Sequence, residues 1–335
     1  MRRLISVFLS TTLLVGLSAC LIGLWQWNQW RHFLAEPVNP DSPLALWIEP
    51  GGTFNDVLSQ LENLGLVRRD WRWRLYGRLN SPRLKQGEFR LEPNLAIDQL
   101  VESLEHGEVV THRFTVIEGW TVRELRERLG QDSRLRQVSA KLSNEELMTH
   151  LDCPGCPAEG RFLPETYFFT RASSDLDLLQ RAFSAMQEAL ATAWSQRNPE
   201  LPIENADELL ILASLIERET GAPHERPEVA GVFKRRLELG MRLQTDPTVV
   251  YGLDDSFDGR IRRVHLRTDH PWNTYTRHGL PATAIALPGK ASLQAAARPA
   301  PGSSLYFVSR GDGTHKFSDT LQEHNAAVNR YIRGR

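Results

Sequence analysis

Apolar side chains recur at three- and four-residue spacing along much of this chain, and each such run predicts a helix with an inward face. Phe54, Val57, Leu58 and Leu61 mark one; Ile97, Leu100, Val101 and Leu104 another; Val122, Leu125 and Leu129 a third. The runs at 54 and 122 open alike, with a strand, a glycine turn and a threonine cap: Ile48-Glu49-Pro50-Gly51-Gly52-Thr53 and Ile117-Glu118-Gly119-Trp120-Thr121. This is a weak internal repeat, and Thr121-Val122-Arg123-Glu124 is a full capping box. Gly87-Glu88-Phe89-Arg90-Leu91 reads as a strand between the two. From about residue 113 helices dominate. Ser143 opens one, and Ser174 opens a long one with Leu179, Phe183, Met186, Leu190 and Trp194 inward. Another runs from Pro227 to Leu239, stopped by Gly240. Beyond it the pattern predicts short strands and loops, with Leu305–Val308 and His315–Phe317 pairing as a hairpin around Gly311-Asp312-Gly313.

One helix carries an acid where its period asks for a hydrophobe. Leu209, Leu212, Leu215 and Ile216 share a face, and Glu219 falls on that face one turn later. Asn205, with Glu208 three residues on, reads as the capped start; Gly221 and Pro223 end the helix, so Glu219 sits in its last turn. Apolar surroundings and the negative end of the helix dipole both raise a carboxyl pKa, which suits a general acid. Glu217 lies roughly 160° around the helix, at about 100° per residue, so only one of the two acids can face a given cleft. The competing reading is a helix-end glutamate whose side chain reaches water.

The N-terminus changes the picture most. Residues 4–25 carry no charge and would be about 33 Å long as a helix, enough to span a bilayer. Arg2 and Arg3 precede the run, and Trp25, Trp27 and Trp30 follow as an interfacial belt, so the N-terminus is expected inside and the bulk outside the cytoplasm. Leu17-Ser18-Ala19-Cys20 offers a lipoprotein reading, but the apolar run continues past Cys20, and an uncleaved span is preferred. The expected division is 1–3 cytoplasmic, 4–25 transmembrane, 26–43 linker, 44–112 a small α+β module and 113–335 the main domain. The alternative is that 44–112 merely packs onto one larger domain.

With 335 residues, 41% hydrophobic and 24% charged, the composition is ordinary, and a net charge of -1 with scattered Arg and Lys carries no nucleic-acid signature. Cys153-Pro154-Gly155-Cys156 lacks the second ligand pair that zinc would need, and in an oxidising compartment it reads as a local disulfide. The ten histidines show no metal-ligand spacing, and no P-loop or serine elbow is present, so neither metal nor cofactor is expected. Two polar loops remain: Arg242–Gly252, with Gln244, Asp246 and Tyr251, and Asn273-Thr274-Tyr275 followed by Gly279-Leu280-Pro281. Polar groups beside aromatic rings suit a sugar; simple turn chemistry is an equal alternative.

Glu159-Gly160-x-Phe-x-Pro164-x-Thr166-Tyr167, Leu212–Thr220, Arg242–Thr248 with Tyr251-Gly252, Asn273-Thr274-Tyr275 and Gly279-Leu280-Pro281, in this order, resemble the membrane-bound endolytic murein transglycosylase family. The resemblance covers about residues 46–330 without departure in these motifs; the Cys153–Cys156 pair is an addition. It implies an α+β fold with a LysM-like subdomain before the catalytic domain, on a single-pass inner-membrane anchor. It also implies Glu219 as the catalytic acid directly before Thr220, and cleavage of glycan strands in nascent peptidoglycan. Gln244, Asp246, Tyr251, Asn273 and Tyr275 are then candidates for substrate binding, and peptidoglycan synthases are candidate partners. Such a lyase needs one carboxyl: Glu219 protonates the bond between N-acetylmuramic acid and N-acetylglucosamine, then deprotonates the muramoyl C6 hydroxyl as it closes a 1,6-anhydro ring. The rival functions are a lysozyme-type hydrolase with Asp246 as second carboxylate, and a non-catalytic glycan-binding scaffold.

Overall fold

The computed structural model describes residues 2–38 and 43–334, without the side chains of residues 2–12 and Asp255. The chain forms two compact units, residues 1–112 with 170–172 and residues 113–169 with 173–335.

The first unit begins with α1 (Arg2–Ala35). Among the described residues no helix is long and apolar enough to cross a membrane. Residues 4–12, the first part of the expected span, lack described side chains. The expected linker from residue 26 is instead helical to Ala35. Its end is held by packing: Phe33 is buried and meets Trp73 edge-on at 4.9 Å, and the Val38 amide donates to the Leu95 carbonyl at 2.8 Å. Residues 39–42 of that linker lie outside the described residues.

There follow β1 (Leu44–Ile48), α2 (Phe54–Asn63), α3 (Trp71–Asn80), β2 (Gly87–Leu91) and α4 (Ile97–His106), with β1 and β2 antiparallel in the register Leu46↔Phe89. Thr53 caps α2 in a full box with Asp56, worth about 1 kcal/mol. The inward faces of α2 and α4 are the apolar sets of the sequence pattern. Helix α3, Trp-Arg-Trp-Arg-Leu-Tyr-Gly-Arg, was not legible, because arginines interrupt its apolar period and only Trp73 and Tyr76 are buried. Residues 170–172 escape any linear division at residue 112: Arg171 lies over the Trp47 ring at 5.5 Å and 3.9 Å from Glu88.

The second unit holds β3 (His112–Thr115), α5 (Val122–Gly130), α6 (Asn144–His150), β4 (Thr166–Phe169), α7 (Asp175–Ser195), α8 (Ala206–Glu219), α9 (Arg226–Glu238), α10 (Asp246–Leu253), α11 (Arg263–Arg267), α12 (Lys290–Ala297), β5 (Tyr306–Ser309), β6 (His315–Ser318) and α13 (Leu321–Tyr331). Strand β3 pairs with β4, and β5–β6 is the expected hairpin, with Ser309 opposite His315. Cys153 and Cys156 form a disulfide, Cα atoms 5.6 Å apart. Helix α8 lies at the centre, packed against α7, α9 and α12, and is buried on nearly every side of its middle turns. Its Asn205 cap accepts from the Glu208 amide, while the Glu208 carboxylate accepts from the Glu204 amide, one residue upstream of a standard box. Four stretches expected as short strands or loops are helical, α10, α11, α12 and α13. The first of them is started by Pro247. Helix α12, Lys-Ala-Ser-Leu-Gln-Ala-Ala-Ala, buries small residues all round and so offers little amphipathic contrast to read.

Candidate active site

Glu219 is the last residue of α8, half-buried, at the point where Thr220 turns the chain extended. The Thr245 hydroxyl donates to one of its carboxyl oxygens. Burial pushes Glu219 up to about 7; the nearby Asp246 charge adds to this, while the Thr245 hydrogen bond and the positive sides of His315 and Arg236 oppose it. Around 7 the group exists in both forms, as an acid that must later act as a base requires.

Thr245 is itself fixed. Its amide donates to the Thr274 hydroxyl at 3.1 Å, and Thr274 and Thr248 share a buried hydrogen bond of 2.9 Å. Asp246, exposed, accepts from the Tyr275 hydroxyl at 2.5 Å, and both burial and that carboxylate raise the tyrosine's pKa. Buried Arg236 donates to the carbonyls of Leu243 (2.6 Å) and Leu305 (2.7 Å), joining α9 to the turn before Thr245 and to the strand hairpin. Glu225 accepts from both the amide (2.9 Å) and ring nitrogen (2.7 Å) of His315, which keeps its carboxyl below the ordinary range although burial pushes the other way.

Glu217 faces elsewhere. Its side chain is 5% exposed, pairs with Arg226 at 3.2 Å and accepts from the Gly289 amide at 2.9 Å, where α12 begins. Glu217 therefore braces α12, and Glu219 alone of the two meets Thr245.

The sequence profile of the YceG-like family matches residues 46–330. The chain belongs to the YceG-like family. It is similar to the endolytic murein transglycosylase of Bacillus subtilis, 28% identical over 89% of this chain and 88% of that protein. The protein of the same name from Streptococcus pneumoniae strain D39 is 23% identical over 88% of this chain, which spans 60% of that longer protein. A crystal structure of a YceG-like protein from Listeria monocytogenes superposes with a TM-score of 0.57 at 26% identity, covering 85% of this chain and 98% of that one.

In this YceG-like chain the other sequence candidates separate into two groups. Gln244 is exposed, at φ 49°, a left-handed conformation uncommon outside glycine. Gln244 and Asp246 flank Thr245 in sequence, and Asp246 and Tyr275 are close enough to Glu219 to interact with it electrostatically. Tyr251 points its hydroxyl at Glu159 (3.1 Å) and packs edge-on against Trp272 at 5.4 Å. Asn273 is corrected: it is fully buried, its amide donates to the carbonyls of His265 (3.1 Å) and Thr268 (2.7 Å), and its oxygen accepts from the Tyr275 amide (2.9 Å). It shapes the loop that carries Tyr275. The turn alternative holds for this residue.

Thr245, Arg236, Glu225 with His315, and Glu159 were missed as site residues. Thr245 and Glu159 stand inside motifs that were read; only their burial beside a second polar group distinguishes them, and periodicity does not report that.

Proposed function

We propose that this chain is an endolytic murein transglycosylase, cleaving the bond between N-acetylmuramic acid and N-acetylglucosamine in nascent peptidoglycan and leaving 1,6-anhydro ends. The observation that carries this reading is Glu219: a half-buried carboxyl, raised to about 7, with one oxygen held by Thr245. Its other oxygen carries the proton to the glycosidic oxygen. The C1–O bond breaks, the glucosamine side leaves as an alcohol, and positive charge develops at the muramoyl C1. The sugar's own C6 hydroxyl then attacks C1 and gives its proton back to Glu219, so the enzyme returns to its starting state without water. Asp246, whose negative charge already raises Glu219, would favour the cationic centre. Gln244, Asp246, Tyr251 and Tyr275 would hold the strand, and Asn273 would support Tyr275 from behind.

The β1-α2-α3-β2 order of the first unit supports a LysM-like glycan-holding role. The large apolar side chains exposed along α1 from Leu13 to Trp27, together with the uncharged run from residue 4, support a single-pass anchor that places the second unit outside the cytoplasm. Association of the full-length chain with membranes through an alkaline wash tests the anchor; release by that wash rejects it. For the reaction, full-length protein is incubated with purified glycan strands and the products are weighed by mass spectrometry. Ends lighter by one water than reducing ends are expected from the wild type and absent with Glu219→Gln. Reducing ends alone would favour the hydrolase, and no cleavage with retained glycan binding the scaffold.

A further inference from the structure

Arg218, adjacent to Glu219, lines a cavity of about 1140 Å³ whose walls include Glu159, Tyr251 and Trp272. Helix α10 also links the two places. Thr245, its cap, holds Glu219, and Tyr251 lies six residues further along, about 9 Å at the helical rise.

Glu159 is placed there by its surroundings. Gly160, at φ 84°, lets the chain turn where an added Cβ would come 2.7 Å from that of Ala284. One Glu159 oxygen accepts from the Val122 amide at the start of α5 (3.0 Å), the other from the Tyr251 hydroxyl (3.1 Å). The Gly160 amide also reaches Glu159, and Thr283 reaches the Tyr251 hydroxyl, so of the roughly four acceptor positions of the carboxylate one stays open. Arg218 gives one N–H to the Gly119 carbonyl at 2.9 Å and has four others. Burial pushes the Glu159 carboxyl up to about 7 against the hydrogen bonds from Val122, Tyr251 and Gly160. A wall of acceptors, a cation and the two rings of Tyr251 and Trp272 matches an N-acetylated sugar, which has hydroxyl and amide donors on its rim and an apolar ring face.

We infer that this cavity is a second sugar subsite beside the bond-breaking position, and that Glu159 and Tyr251 are its specificity-determining pair, accepting hydrogen bonds from an N-acetylhexosamine unit. The inference rests on the glycan-cleaving reading of Glu219. Two measurements on the full-length chain test it. In a Glu219→Gln background, where nothing is cleaved, calorimetry with a peptide-free tetrasaccharide of alternating N-acetylglucosamine and N-acetylmuramic acid should show binding about tenfold weaker when Tyr251→Phe or Glu159→Gln is added. With Glu219 intact, the same two substitutions should raise KM about tenfold on glycan strands and leave kcat unchanged. A pair that only braced α10 would lower kcat instead, through Thr245. Unchanged tetrasaccharide binding, no binding at all, or a fall in kcat at constant KM overturns the inference. If the tenfold losses appear while wild-type digests contain no anhydro ends, the subsite stands and the transglycosylase reading falls.

Discussion

The Thr245 hydroxyl donates to Glu219, reaching across from the cap of α10 to the end of α8. A donor on one oxygen directs the acid proton to the other, so the pair orients the acid as well as tuning it. Thr245→Val keeps the volume and removes the donor. Because that hydrogen bond lowers the Glu219 pKa, its loss moves the alkaline limb of the pH–rate profile upward, and kcat falls about tenfold. An unmoved limb would separate Thr245 from the chemistry.

Glu219→Gln removes the transferable proton and preserves shape. Activity on glycan strands should fall by at least about 10²–10⁴-fold, the range for losing a general acid–base group. Melting temperature should not decrease, since the change takes an ionisable group out of a half-buried position.

Stability should depend on the two raised carboxyls. Glu159 and Glu219 each shift from an ordinary 4.5 to about 7 in the folded chain, so the folded state binds these protons more tightly than the unfolded one. Their favourable contribution is complete below about 4.5 and disappears as pH rises through about 7, of the order of 1–3 kcal/mol each after allowing for partial exposure. Thermal melts from pH 5 to 8 should show a falling midpoint, flattened in the Glu159→Gln, Glu219→Gln double variant. An equal slope in that variant would contradict the assignment.

Glu217→Gln should retain most of the wild-type activity while costing about 1–2 kcal/mol of stability. The amide still accepts from the Gly289 amide but loses the charge opposite Arg226, which keeps a second partner, Glu118, at 3.3 Å. Parallel assays of turnover and melting temperature check both halves; a loss of activity as deep as that of Glu219→Gln would overturn the division of roles between these neighbours.

Local patterns were legible in this chain because their causes are local. Threonine, serine and asparagine caps act within three residues, apolar faces recur within four, and the glycine-rich hairpin turn closes on itself; so Thr53, Thr121, Ser143, Ser174 and Asn205 all begin helices where the sequence places them. The position of Glu219 at the end of an apolar-faced helix follows from the same short-range rules, and the ordered motifs pointed to the family to which the chain belongs. Tertiary structure alone decided which polar side chains meet. Thr245 reaches Glu219 across 26 residues of sequence and Tyr251 reaches Glu159 across 92, while Asn273 turns inward to brace its own loop. Burial and hydrogen-bond partnership at such separations depend on how whole helices pack, and packing leaves no period in the sequence from which to read it.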